Sequence, residues 1–164
     1  MSAVESYNLV VVSSNTSNLI GQTNGTSRLK YFVPWGSILP TEIKKFSVSF
    51  SFISQMIATS ANFTDAIILS VNFGGAYKNN FEIGGRSHKI GTLQSNSQQL
   101  SSTGGTGAFS TFYSAIPCSN PPITIGYPCD QFIDIELLYN NTLLEPTTYA
   151  LGNYTLIINF TPIV

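Results

Sequence analysis

Phe46 to Ile53 reads FSVSFSFI. Phe46, Val48, Phe50 and Phe52 recur at every second position, with Ser47, Ser49 and Ser51 between them. A period of two belongs to a β-strand with one buried face, and a helix would scatter those four large side chains around its axis. The run holds no charge, Gly or Pro, which places it inside a sheet rather than at its edge. The C-terminal stretch Asn153 to Phe160 repeats the pattern, with Tyr154, Leu156, Ile158 and Phe160 alternating with Asn153, Thr155, Ile157 and Asn159. Two such strands so far apart in sequence predict a sheet protein closed by its own C-terminal segment.

The rest of the chain supplies further strands. Tyr7 to Val12, Arg28 to Val33, Ala66 to Phe73, Ala108 to Ile116 and Gln131 to Tyr139 each carry apolar residues in alternation. Phe81 to Ile83 and Ser87 to Leu93 are weaker, and Ile123 to Ile125 is a short extended piece in a Pro-rich loop. Ser13 to Ser27 reads as a long polar loop with turns at Asn18 and Asn24-Gly25, and Pro34 to Ser37 as a turn carrying Trp35. Ser95 to Gly107 reads as a mobile loop, Ser54 to Asp65 fits a helical turn or an irregular crossover, and the last strand begins near Gly152.

About eight antiparallel strands with no long helix predict an all-β fold: an antiparallel β-sandwich, a single jelly roll spanning residues 1–164 as one domain. The expected shared core is Phe46, Val48, Phe50, Phe52, Ile133, Ile135, Leu137, Tyr154, Leu156, Ile158 and Phe160. An immunoglobulin-like sandwich is the second architecture. It lacks the inter-sheet cysteine pair around a core Trp, since Trp35 precedes both cysteines.

Charge is scarce. Only 9% of the 164 residues are charged and the net charge is −1, against roughly 25% charged in an ordinary soluble domain. Copies of such a chain repel one another weakly. Composition alone fits a poorly soluble or secreted domain as well as a subunit that stays packed against others. The seven Lys and Arg are scattered, so no basic arm exists to neutralise phosphates and no direct nucleic-acid partner is expected. No apolar run has the length of a membrane span. Glu5 stands where a signal peptide would carry positive charge, so the N-terminus reads as mature chain.

Few residues suggest chemistry. Asp130, Asp134 and Glu136 share one face of the strand at Gln131 to Tyr139. Such a set suits acid–base work or Ca²⁺, yet the opposite face is wholly apolar, and the simpler reading is a solvent- or partner-facing side. His88 is the only histidine and reads as a surface residue. Gly104 to Gly107 lacks the Lys-Ser/Thr ending of a phosphate loop. Cys118 and Cys129 bracket a Pro-rich loop; they close a disulfide in an oxidising compartment or stand as free thiols, and the absent leader favours thiols. Asn-X-Ser/Thr triplets at Asn15, Asn24, Asn62, Asn140, Asn153 and Asn159 follow from the Asn- and Thr-rich composition. No catalytic residue, cofactor or metal is expected.

The order of features from YNLVVVSSNTSNLIGQTNGTSRLKYFVPWGSILP through FSVSFSFI, and the ending CDQFIDIELLYNNTLLEP followed by NYTLIINFTPIV, resembles the small single jelly-roll minor capsid and penton proteins of large icosahedral DNA viruses of algae and protists. The resemblance covers most of the chain and rests on strand order, polar loops and the final strand. It implies a virion structural protein assembled in the host cytoplasm, without enzyme activity. The scarcity of charge adds the expectation that its surface is buried by identical copies or by neighbouring major and minor capsid proteins, whether as a fivefold vertex ring (a pentamer), a trimer or a lone cement subunit. The alternative is a carbohydrate-binding sandwich that presents Trp35, Tyr77 and Tyr127 from loops.

Overall fold

The computed structural model describes residues 5–58, 67–78, 88–95, 100–101, 109–115, 122–139, 142–145 and 149–164. Twelve strands and one short helix are found among them: β1 (Tyr7–Val12), β2 (Leu19–Thr23), β3 (Arg28–Phe32), α1 (Trp35–Ile38), β4 (Lys45–Ala58), β5 (Ile67–Phe73), β6 (Lys89–Ser95), β7 (Leu100–Ser101), β8 (Phe109–Ala115), β9 (Ile123–Gly126), β10 (Phe132–Tyr139), β11 (Thr142–Leu143) and β12 (Tyr149–Pro162). Among the described residues no helix is long and apolar enough to cross a membrane.

Eight of these strands form two four-stranded antiparallel layers. One runs β1-β12-β4-β9 and the other β3-β10-β5-β6. The chain passes repeatedly from one layer to the other, with β4 and β12 returning to the first layer after β3 and β10. This is the jelly-roll sandwich expected from sequence. The layers also join along one side, because β8 pairs with the second half of β4 and with β6. On the other side the hydrogen-bonded path ends at β1 and at β2, which lies outside β3. The sandwich is therefore seamed shut on one flank and open on the other.

The predicted core residues meet between the layers. Phe46, Val48, Phe52, Ile133, Ile135, Leu137, Tyr154, Leu156, Ile158 and Phe160 are all buried. Phe50 is half-buried and packs on the rim of that cluster. Phe160 is the hub. Its ring meets Trp35 at 5.9 Å and 72°, Phe73 at 5.8 Å and 81°, and Phe46 at 6.3 Å and 88°, all edge to face. Those partners come from the corner helix, the opposite layer and the neighbouring strand. Edge-to-face pairs add about 0.5–1.5 kcal/mol each beyond the apolar area they bury.

Several boundaries differ from those read in the sequence. β2 lies within the stretch expected to be loop, because LIGQT has no alternation and sits at an edge, half-exposed. The turns on either side are as expected, with Asn18 (φ 63), Asn24 (φ 52) and Gly25 (φ 60) in the left-handed region. The turn at Trp35 is one turn of helix, closed by Leu39 N–H donating to Trp35 O at 2.8 Å. β4 continues through Ser54 to Ala58, where a crossover or helical turn was expected, because β12 and β8 flank it there. β12 begins at Tyr149, earlier than Gly152, and slips register between Leu151 and Tyr154. Gly74 (φ 55) ends β5, and a Cβ there would collide with the carbonyl oxygen of Asp130. The weak strand at Phe81 to Ile83, the turn at Asn140-Asn141 and most of the loop from Ser95 to Gly107 lie outside the described residues.

Two stability outcomes follow from this packing. Phe160→Ala should cost about 3–5 kcal/mol, the range for emptying a packed aromatic site, and Phe50→Ala clearly less because its ring already meets water. Equal costs in urea denaturation would contradict the hub role. Tyr154 stacks on Phe52 at 5.0 Å and 29°, but its hydroxyl is buried and has no hydrogen-bond partner among the described residues. Burial pushes its pKa far up, with a smaller contribution from Tyr31. An unsatisfied buried hydroxyl costs about 1–3 kcal/mol, so Tyr154→Phe should raise stability by about 1 kcal/mol; a loss of that size would reveal a partner for the hydroxyl.

Candidate interaction surfaces

The charged residues are divided unequally between the layers. β3, β10 and β6 carry Arg28, Lys30, Asp134, Glu136 and Lys89. On β1, β12, β4 and β9 the only charged residue is Lys45, at the first position of β4.

On the charged layer, Asp134 and Glu136 do share a face, as expected, but they do not form a free pair of carboxylates. Asp134 is 8% exposed. The Arg28 guanidinium grips it from both ends, with Nε donating to Oδ1 at 3.1 Å and Nη2 to Oδ2 at 2.8 Å. That hydrogen bonding holds the Arg28 pKa above its ordinary value. The register explains the grip, since Asp134 lies across from Lys30 and Glu136 across from Arg28, so opposite charges alternate across β3 and β10. Lys30 places its Nζ 4.2 Å above the Phe132 ring. Asp130 stands apart in the preceding loop and is exposed. Among the described residues no group of three or more His, Cys, Asp or Glu could hold a metal ion.

His88 is half-buried rather than fully exposed. Its carbonyl accepts the Val71 N–H at 2.7 Å. Burial first, and the charge of Lys78 second, hold its pKa below the ordinary value. Cys129 is an exposed free thiol; Cys118 and Gly104 to Gly107 lie outside the described residues.

The three aromatic residues offered for sugar binding do not make one platform. Trp35 is 2% exposed and donates its indole N–H to Phe132 O at 3.2 Å. It sits in the loop position expected, but its ring turns into the core to meet Phe160. Tyr127 is half-buried, donates to Leu39 O at 3.2 Å and leans on Phe46. Tyr77 alone is displayed.

The β1-β12-β4-β9 layer carries one charge on its outer face, Lys45 at the start of β4. Its outward side chains form cross-strand rows. Asn8, Asn159 and Ser49 make one row, Val10, Ile157 and Ser51 the next, and Val12, Thr155 and Ile53 the third. Val10 is 55% exposed, Ile157 40% and Ile53 68%. Asn159 Nδ2 donates to Asn8 Oδ1 at 2.8 Å, so the polar row is satisfied within the sheet. Two other apolar residues stand off the core phase of their strands in the sequence, Ile68 in β5 and Phe112 in β8. Ile68 is half-buried, and Ser70 and Leu138 on the same outer face are buried, so the chain already covers part of that side. The Phe112 side chain lies outside the described residues. Val10, Val12, Ile157 and Ile53 were legible as apolar residues off the core phase of their strands.

On the open flank a cavity of about 150 Å³ lies between β1 and the β3 corner. Leu9 to Val12 form one wall and Tyr31 to Val33 the other, with Asn15, Ser17 and Asn18 at the rim. No charged residue lines it.

The ion pair offers a direct measurement. Arg28→Ala leaves a desolvated carboxylate at Asp134 and should cost about 2 kcal/mol, below the roughly 3–5 kcal/mol of a fully buried pair because the guanidinium is partly solvated. The double variant Arg28→Ala/Asp134→Ala should cost less than the sum of the two singles, with a coupling of about 1 kcal/mol. Additive losses would mean that the pair contributes nothing as a pair.

No protein-family model matches the chain, and comparison with curated proteins finds no relative.

Proposed function

We propose that the chain is a structural subunit of a virion, a minor capsid or penton protein that works by packing against copies of itself and against neighbouring capsid proteins. The observation that carries this reading is the outer face of the β1-β12-β4-β9 layer, charged only at Lys45, where Val10, Ile157 and Ile53 are exposed among Asn, Ser and Thr. Covering such a face strips water from at most one charge, Lys45 at its end. It gains apolar burial at Val and Ile, and hydrogen bonds at the polar rows. The jelly roll suits this role because it presents flat layers and stiff flanks, although the same architecture also serves lectins and enzymes. The resemblance in strand order and polar loops supplies the specific setting, a viral shell built in the host cytoplasm. A sugar-binding role has less support, since of its three aromatic candidates only Tyr77 is displayed.

Sedimentation of the purified protein over a wide concentration range, alone and mixed with shell proteins of its source, tests the proposal. Assembly that is lost in Ile157→Lys, with the far-ultraviolet spectrum unchanged, is the expected result. A monomer at every concentration and in every mixture, joined to binding of a defined sugar on a glycan array, would overturn it.

A further inference from the structure

The ladder between β1 and β12 fixes which way each backbone group of β1 points. Ser13 N–H donates to Tyr154 O at 2.9 Å. Ser13 and Tyr154 continue the register that pairs Val11 with Leu156, Leu9 with Ile158 and Tyr7 with Phe160. Hydrogen-bonded and non-hydrogen-bonded pairs alternate in an antiparallel ladder. Tyr7, Leu9 and Val11 therefore spend their backbone groups on β12, while those of Asn8, Val10 and Val12 face the open flank. Of these, the Val12 carbonyl takes the Asn15 N–H at 2.9 Å. Among the described residues no strand pairs with this edge.

Natural edge strands are shielded by lysine, proline, a bulge or brevity. β1 has none of these. It is six residues long, YNLVVV, with an unbroken register and no charge. The cavity of about 150 Å³ lies between its edge and Tyr31 to Val33 at the β3 corner.

We propose that β1 is the self-contact of the subunit: two copies join edge to edge, β1 antiparallel to β1 of the second copy, about a two-fold axis at Val10. In that register Val10 faces its own equivalent, and Asn8 faces the second copy's Val12. The three positions whose backbone groups point outward are then the three that pair: Val10 exchanges N–H and C=O with its equivalent, and Asn8 and Val12 meet across the axis, the Val12 carbonyl keeping its Asn15 bond. A strand shifted by one residue would present the groups already bonded to β12. The second copy is the occupant the chemistry selects. The edge is uncharged and self-complementary under a two-fold, the arrangement in which one patch serves both partners. Charge-free β1 also brings no like charges together. The two β1-β12-β4-β9 layers become one continuous sheet, and Val10 shelters against its equivalent. An edge contact of this kind covers less than a standard interface of roughly 1,200–2,000 Å², so the dimer forms in a concentration-dependent way. The inference rests on the reading of the chain as an assembling subunit and specifies the contact it uses.

Cross-linking tests it in a Cys118→Ser/Cys129→Ser background. A hydrogen-bonded antiparallel pair sets Cα atoms about 5.5 Å apart, within disulfide reach. Val10→Cys should give a covalent dimer under mild oxidation. Asn8→Cys should not, since the two copies of residue 8 stand roughly 14 Å apart at strand rise. Val10→Lys should shift native sedimentation to monomer with the spectrum of the fold retained. Equal cross-linking of Asn8→Cys and Val10→Cys, or an oligomer of the native chain that survives Val10→Lys, would overturn the β1 contact while leaving the assembly reading intact. A wild-type chain that stays monomeric at all concentrations, with neither cysteine variant cross-linking, would remove the contact; failure to join shell proteins as well would remove the assembly reading.

Discussion

The sandwich depends on the Phe160 ring. One layer supplies Phe160 and Phe46, the other Phe73, and the corner between β3 and β4 supplies Trp35. The ring thus fixes how the two layers sit on each other and where the chain turns between them. Trp35 can reach it because Pro34 ends the strand before it and a single helical turn swings the indole inward. The indole N–H then finds Phe132 O, so the core gains a large aromatic surface without stranding a polar group. Phe160 belongs to β12, the last strand, which lies between β1 and β4. The layer cannot be complete until the C-terminal segment is in place, which agrees with the closure expected from the two alternating stretches at Phe46 and Asn153.

Most of this architecture could be read from sequence wherever one face of a strand is wholly apolar. FSVSFSFI and NYTLIINF announced β4 and β12, and DQFIDIELLY announced β10, because a period of two leaves no other element to bury such side chains. The failures are equally physical. LIGQT at β2 has no alternation to detect, since an edge strand buries too little to need one. Ser54 to Ala58 carries SQMIA, a neutral run whose strand state comes from β8 and β12 on either side rather than from its own preferences. Phe50 obeys the pattern yet lies at the margin of the core, since alternation reports which face a residue is on and not how far it lies from the rim.

The candidate surface was less legible than the fold. Trp35 looked like a displayed aromatic because turns are usually exposed, and only its contacts reveal an inward ring. Asp134 looked like half of an acidic pair until the register brought Arg28 within 2.8 Å of it. Composition gave the scarcity of charge but not its distribution. Pairing order was needed to see that β1, β12, β4 and β9 form one layer. Once they do, two long strands with a single lysine between them become a broad neutral face, and the off-phase Val10, Ile157 and Ile53 become neighbours.

That distribution bears on what the molecule can do in an assembly. A charged outer face that has already paired its ions loses by desolvation when covered, because Asp134 and Arg28 would give up the water that still solvates the guanidinium. The other face carries a single charge, Lys45 at its end, and loses far less when covered. The two sides of the sandwich are therefore unequal in the cost of being buried, and a partner of any kind would cover the β1-β12-β4-β9 side at less cost than the β3-β10-β5-β6 side. The open flank reinforces the asymmetry. Of the two strands that end the hydrogen-bonded path there, β1 belongs to this layer, so edge pairing and face packing would extend the same surface.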